Sequence, residues 1–180
     1  IPFVSSFSIF ATGRAWEQIR NTICYSGLNV KIVATHSGVS VGPDGASHQC
    51  IEDLSLMRTI PTMTVIEPCD AVQTRKAILA AVDYKGPVYI RLGRAAVPVI
   101  TKKEDPYTIG KANILRMGDD VAIVACGALV VNSLTAADIL LKEGIRATVV
   151  NMHTVKPIDQ ELLVKVAKQV NALVTAEQHV

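Results

Sequence analysis

The chain carries almost no net charge: 18 lysines and arginines against 16 aspartates and glutamates leave +2. A balance this even gives no electrostatic commitment to nucleic acid or to an anionic membrane, and neither is expected as a partner. Aromatic residues are scarce, at 4%, and all three phenylalanines (Phe3, Phe7 and Phe10) fall in the first ten residues. The four cysteines, Cys24, Cys50, Cys69 and Cys126, form no CxxC pair. That spacing argues against a zinc site or a disulfide framework and reads as buried free thiols in a reducing cytoplasm. Neither GxGxxG nor GK[ST] occurs, so the usual dinucleotide and phosphate-loop signatures are missing. The longest uncharged run, Val121 to Ala137, has 17 residues and contains Gly127, Asn132, Ser133 and Thr135, which is short for a membrane span. No basic n-region marks a signal peptide at the start, and a cytoplasmic location is expected.

What is present is a chain 49% hydrophobic and 19% charged, the composition of a globular protein with much buried surface. Its pattern alternates strands and helices. Trp16, Ile19 and Ile23 mark a helix over Arg14 to Ser26, ended near Gly27. Val30 to Ala34 is a short apolar strand. Ile51, Leu54 and Met57 mark a short helix, and Thr62 to Ile66 the next strand. Asp70 is an N-cap with Gln73 in the capping-box position, and Val72, Leu79 and Val82 are expected on that helix's buried face. Gly86-Pro87 turns the chain into the strand Val88 to Arg91. A stretch rich in proline and charge follows, and residues 100–110 are read as a linker. Beyond it a second unit repeats the alternation: strand Val121 to Ala125, a helix with Val130, Leu134, Ala137 and Leu141 on one face, strand Ala147 to Val150, a helix opened by Pro157 and Asp159, and strand Ala172 to Thr175. Gly118-Asp119-Asp120 reads as a hairpin-like turn. Such alternation predicts an α/β fold of parallel sheets with helices on both faces.

The segment Thr35 to Gln49 is the strongest candidate site. It is polar between apolar flanks and lies at the carboxyl end of a strand, where open α/β sheets place their ligands. His36 and His48 stand on either side of Asp44. Three readings are open: a metal site, histidines that satisfy the loop's own backbone, or a pocket for a polar substrate. In the third, Asp44 accepts from hydroxyls and the histidines donate, accept or shuttle protons. Arg91 and Arg94 follow a strand at the same sheet edge and suggest a phosphate or carboxylate clamp, against the alternative of surface ion pairs. Phe7 and Phe10 are either core or an apolar slot for a flat heterocycle.

Taken together these segments resemble the transketolase family of thiamine-diphosphate enzymes. Thr35 to Gln49 is similar to its THxxxxVGxDGxxHQ signature, and Pro2 to Phe7 with Arg14 to Arg20 to its pyrimidine-binding segment. Ile66-Glu67-Pro68-Cys69-Asp70, Ile90-Arg91-Leu92-Gly93-Arg94 and Val155-Lys156-Pro157-Ile158-Asp159 follow in the family's order. The resemblance implies a parallel-sheet pyrimidine-binding domain over residues 1–99, its N-terminal part missing, and a truncated C-terminal α/β domain over 111–180. It implies that Phe7 and Phe10 flank the cofactor's aminopyrimidine ring and that His36 and Arg91 hold a sugar phosphate. Asp44 then reads the hydroxyl beside the reacting carbonyl, and His48 faces the donor's C1 hydroxyl and carbonyl, so His36, Asp44 and His48 form the catalytic set.

The implied cofactor is thiamine diphosphate with Mg2+ or Ca2+. The metal and diphosphate are held mainly by a pyrophosphate-binding domain or an N-terminal subunit outside this chain. A homodimer or heterotetramer acting on sugar phosphates in the pentose phosphate pathway follows from the same resemblance. Two departures stand out: Gly13 replaces an aromatic, and the glutamate that contacts the pyrimidine belongs to a segment before Ile1. Both ends of the chain read as cut, so the isolated 180 residues are expected to be inactive. Deoxyxylulose-phosphate synthases, the beta subunits of 2-oxo acid dehydrogenases and a non-catalytic subunit are the rival readings. The histidine pair around Asp44 favours transketolase.

Overall fold

The computed structural model describes residues 1–180. Its strands are β1 (Phe3–Phe7), β2 (Lys31–Thr35), β3 (Thr64–Ile66), β4 (Val88–Arg91), β5 (Asn113–Arg116), β6 (Val121–Ala125), β7 (Ala147–Asn151), β8 (Thr154–Lys156) and β9 (Ala172–Ala176). Its helices are α1 (Trp16–Gln18), α2 (Asp53–Thr59), α3 (Ala71–Asp83), α4 (Leu129–Lys142) and α5 (Gln160–Ala167). They build two sheets, of order β1-β2-β4-β3-β8 and β5-β7-β6-β9. The α/β architecture read from the alternation is therefore present, with one antiparallel strand, β8 or β5, at an edge of each otherwise parallel sheet.

Period-two alternation sends side chains to opposite faces of each strand, and both faces are covered. On the first sheet, Ile32, Ala34, Val65 and Tyr89 pack with Leu54, Met57 and Ile60 on one side. Ile66, Val88 and Ile90 pack against Ala77 and Ala81 of α3 on the other. In the second sheet Ala122, Val124 and Val150 face Val166 of α5, while Ile123 and Val149 face Ala137 of α4.

Several local expectations change. The first helix starts at Ile9 and winds as π-helix over Ile9–Arg14 and Ile19–Tyr25, on either side of α1. Thr12 Oγ1 donates to Ser8 O at 2.7 Å and holds the early turn. On α3, Leu79 and Val82 are 53% and 42% exposed, and Ala77 and Ala81 face the sheet instead, with Gln73 buried against Cys69 and Asn151. On α4, Leu141 is likewise 58% exposed, with Val130, Ser133 and Ala137 buried. Large apolar residues occur on both sides of these helices, so the stripe by itself is ambiguous; the small side chains let the helix backbones approach the sheets. Gly118-Asp119-Asp120 makes no hairpin, because β7 lies between β5 and β6. Gly118 is instead pressed against the Arg146 backbone, and its N–H donates to Thr148 Oγ1 at 2.9 Å.

The two units are tied together in three places. β8 leaves the second unit and pairs with β3, adding a fifth strand to the first sheet. Asp70 caps α3 through Gln73 N–H and also accepts from Ile100 N–H, Thr101 N–H and Thr101 Oγ1 at 2.7–2.8 Å, which pins the linker. Burial raises the Asp70 carboxyl, but these donors outweigh it and hold its pKa below the ordinary range. Third, His153 is 1% exposed between β7 and β8, stacks on Tyr107 at 4.3 Å, and takes the Glu67 N–H on its backbone oxygen. Its Nε2 has no partner.

Burial pulls the His153 pKa from 6.5 down to about 4. Between those values the unfolded chain takes up a proton that the folded chain refuses, so stability is full above pH 6.5 and falls as pH drops toward 4. This group alone should cost about 2 kcal/mol on going from pH 7 to pH 5. Urea unfolding at both pH values should show that loss, and His153→Phe should flatten it; an unchanged pH dependence in the variant would assign the loss to other groups.

Candidate active site

β1, β2 and β4 run parallel and in register, with Phe7 opposite Thr35 and Ala34 opposite Arg91. The residues that leave these strands therefore emerge at one sheet edge. Phe7, Phe10, His36, Asp44, His48 and Arg94 gather there although they are spread over 88 positions of sequence.

The aromatic part is compact. Phe7 and Phe10 lie nearly parallel, at 6°, with ring centroids 6.0 Å apart. His36 stacks on Phe7 at 3.7 Å, and His48 stands edge-on to both phenylalanines at 5.8 and 5.4 Å. The Arg14 guanidinium covers Phe10 at 4.4 Å, a cation–π contact. Both phenyl rings are half-buried, so an aromatic wall is left facing the site. A Cβ at Gly13 would touch only Ile9 Cδ1, at 3.6 Å, so the place of the missing aromatic is open space.

Each histidine has its Nδ1 engaged by the hydroxyl just before it: Thr35 Oγ1 lies 2.9 Å from His36 Nδ1 and Ser47 Oγ 2.9 Å from His48 Nδ1. The Nε2 atoms are thereby left for a ligand. His36 reaches its position with φ 61°, a left-handed backbone that is rare outside glycine and marks a constrained site. Its Nε2 is 4.0 Å from Asp44 Oδ2. The same oxygen lies 2.6 Å from Arg94 Nε, while the rest of the guanidinium, on a side chain 39% exposed, remains open. These hydroxyl partners, and the pairing of Arg94 with Asp44, are invisible in sequence except as small polar residues beside each histidine.

Arg91 has a different fate, one at odds with the phosphate role expected for it. It is 1% exposed. Nε donates to Asp53 Oδ2 at 2.8 Å, Nη1 to Glu67 Oε1 at 2.6 Å, and Nη2 to Asp53 Oδ1 and Gln178 O at 3.0 and 2.8 Å. Nη2 also approaches Cys50 O at 3.3 Å, and Tyr89 donates to Asp53 Oδ2 at 2.6 Å. Burial lowers the guanidinium pKa, but Glu67 and Asp53 more than reverse this and drive it up. Buried and neutralised by two carboxylates, Arg91 is held in the core rather than presented to a phosphate. The sequence gives no sign of Asp53 as a partner, and Glu67 enters it only as part of the Ile66–Asp70 segment, without a role. The available signal was that Arg91 ends an otherwise apolar central strand, whereas Arg94 lies beyond Gly93 in the loop.

Comparison with known proteins decides the family. Residues 1–99 match the family model described as "Transketolase, pyrimidine binding domain", and residues 110–180 match "Transketolase, C-terminal domain". The chain belongs to the transketolase family. It is 50% identical, over 99% of its length, to a Methanocaldococcus jannaschii protein named for a transketolase C-terminal section, and covers 56% of that protein. It is 45% identical to the 6-deoxy-6-sulfo-D-fructose transketolase subunit of a Clostridium species, over 98% of this chain and 55% of the other. A solved split-gene transketolase, described as an inactive beta4 tetramer, superposes with a TM-score of 0.93 at 52% identity, over 99% of this chain and 58% of that one. This transketolase-family chain thus spans about half the length of the relatives it matches.

The residues can be tested against the cofactor of the family. The near-parallel Phe7 and Phe10 rings, one faced by His36 and the other by Arg14 with His48 edge-on to both, form an aromatic wall of the kind that would suit the ring end of thiamine diphosphate. No group of three or more His, Cys, Asp or Glu side chains is placed to hold a metal ion. Thr35 to Gln49 offers a carboxylate acceptor and two imidazoles able to donate or accept protons.

Arg91→Met should destabilise the protein by about 3–5 kcal/mol, because it strands Asp53 and Glu67 as buried, uncompensated charges. Denaturant unfolding measures this. Wild-type stability in the variant would show that the carboxylates do not depend on Arg91.

Proposed function

We propose that this chain supplies the substrate-reading half of a transketolase active site. The complete enzyme moves a two-carbon ketol unit from a ketose bearing a terminal anion to an aldose acceptor. The observation that carries this reading is the convergence of His36, Asp44, His48 and Arg94 beside the Phe7–Phe10 wall at one sheet edge.

Phe7 and Phe10 would hold the pyrimidine ring of thiamine diphosphate by apolar contact. When bound, that cofactor supplies the electron sink that carbon–carbon cleavage next to a carbonyl requires. The protein side chains do the rest. Asp44 accepts a hydrogen bond from the hydroxyl beside the reacting carbonyl. His48 Nε2 faces the C1 hydroxyl and the carbonyl oxygen, where it donates or takes a proton as charge develops. The Ser47 hydroxyl on Nδ1 holds the ring for that task. Arg94 takes the anchoring role in place of Arg91, with His36 beside it, and its guanidinium fork suits a terminal phosphate. The sugar in one relative's name, 6-deoxy-6-sulfo-D-fructose, ends in a sulfonate, an anion that a guanidinium also accepts. Anchoring the far end of the sugar uses remote binding energy to place the reacting carbon. Diphosphate and a divalent metal, Mg2+ or Ca2+, belong to a pyrophosphate-binding partner subunit, in a dimeric or heterotetrameric assembly, and the isolated chain has no turnover.

In the assembled protein, Arg94→Ala should raise KM for a phosphorylated ketose about ten- to a hundredfold, the loss of charge-assisted hydrogen bonds, with unfolding stability little changed. Equal KM values for wild type and variant would remove Arg94 from the site. His48→Ala, assayed with donor and acceptor separately, should lower kcat by about 10²–10⁴. An assembled enzyme that decarboxylates pyruvate and leaves xylulose 5-phosphate untouched would overturn the transketolase reading.

A further inference from the structure

The segment that follows β9 does not project away from the second unit. It is laced into the first, against the loop that carries the histidines. Arg91 Nη2 donates to Gln178 O at 2.8 Å, and Ser40 Oγ donates to Gln178 Oε1 at 2.9 Å. Ser55 N–H, in α2, donates to His179 Nε2 at 3.1 Å, and Val180 N–H donates to Ile51 O at 3.0 Å. Four hydrogen bonds in three residues thus reach both limbs of the loop and its supporting arginine. The limbs are joined to each other by the bridge between Gly38 and Cys50, whose N–H···O bond is 2.8 Å. Gly38 has φ 82°, and a Cβ there would collide with Gln178. The loop and the segment are therefore shaped to one another at Gly38 and Ser40, between His36 and Asp44.

We propose that Gln178 is a positioning residue for the substrate: through Ser40 it sets where Asp44 lies relative to His36 and Arg94, and so couples the second unit to donor binding. Arg91 is the inner end of the same strut, since one guanidinium holds Gln178 O, Cys50 O and the Asp53 carboxylate of α2 together. The Ser40–Gln178 contact is exposed, so it can be removed without opening the core. This inference rests on the function proposed above for its kinetic arm and is independent of it for its exchange arm.

The test uses the assembled protein. Gln178→Ala and Ser40→Ala should each raise KM for a phosphorylated ketose about fivefold, the size expected for one hydrogen bond, with kcat within about twofold of wild type. The double variant should go no further, and Gln178→Glu, which keeps an acceptor for Ser40, should restore KM. Amide hydrogen exchange at Gly38, His48 and Gln49 should quicken about tenfold in Gln178→Ala while β4 amides keep their protection. Unchanged loop exchange, additive kinetic effects, or protection lost evenly across loop and β4 would each overturn the proposal. If the unsubstituted assembly transfers no ketol unit, the functional reading falls, and the exchange arm still decides whether Gln178 positions the loop.

Discussion

A single guanidinium organises this fold. Arg91 sits where β4 leaves the core of the first sheet, and its donors reach α2 through Asp53, the end of β3 through Glu67, the site loop through Cys50 O and the second unit through Gln178 O. Glu67 carries the connection further. Its backbone N–H donates to His153 O, its backbone O accepts from Gly127 N–H, and a Cβ on Gly127 would collide with its carboxylate. Such a cluster does little for net stability compared with apolar packing, because the desolvation of three charges offsets their attraction. What it imposes is geometry, since any arrangement that separates these elements leaves a charge buried alone.

The active-site edge depends on that geometry. The three strands that launch Phe7, His36 and Arg94 are in register, and the loop returning to α2 closes over them through the Gly38–Cys50 bridge. Asp44 faces both His36 and Arg94 from across the loop. The edge is graded, with an aromatic wall at one end, histidines and a carboxylate in the middle and a partly open guanidinium at the other. A fully buried arginine and a partly exposed one stand three positions apart on one segment.

Most of the α/β alternation was legible because it follows from periodicity. Val88–Arg91 and Val121–Ala125 were read with the bounds that the structure gives, and Asp70 caps α3 as its sequence context indicates. The elements that went unread are edge strands. β1, β5 and β8 lack a continuous apolar run, since each is satisfied by pairing on one side or by a partner distant in sequence. Parts of two helix faces also differ: Leu79 and Val82 of α3 and Leu141 of α4 are exposed, while Val130 and Ala137 of α4 are buried as their spacing indicates, and the small Ala77, Ala81 and Ser133 join the buried side.

By itself the sequence determined the family, most of the strand-and-helix order and the polar loop at a strand end, because spacing within a loop and period within an element are local properties. Tertiary structure alone decided which arginine is free. Arg91 and Arg94 carry the same charge and the same chemistry, and only the positions of Asp53 and Glu67, folded in from 38 and 24 residues away, neutralise one in the core and leave the other partly open. It also decided that Gln178 lies against Ser40, a contact across 138 residues that no local pattern encodes.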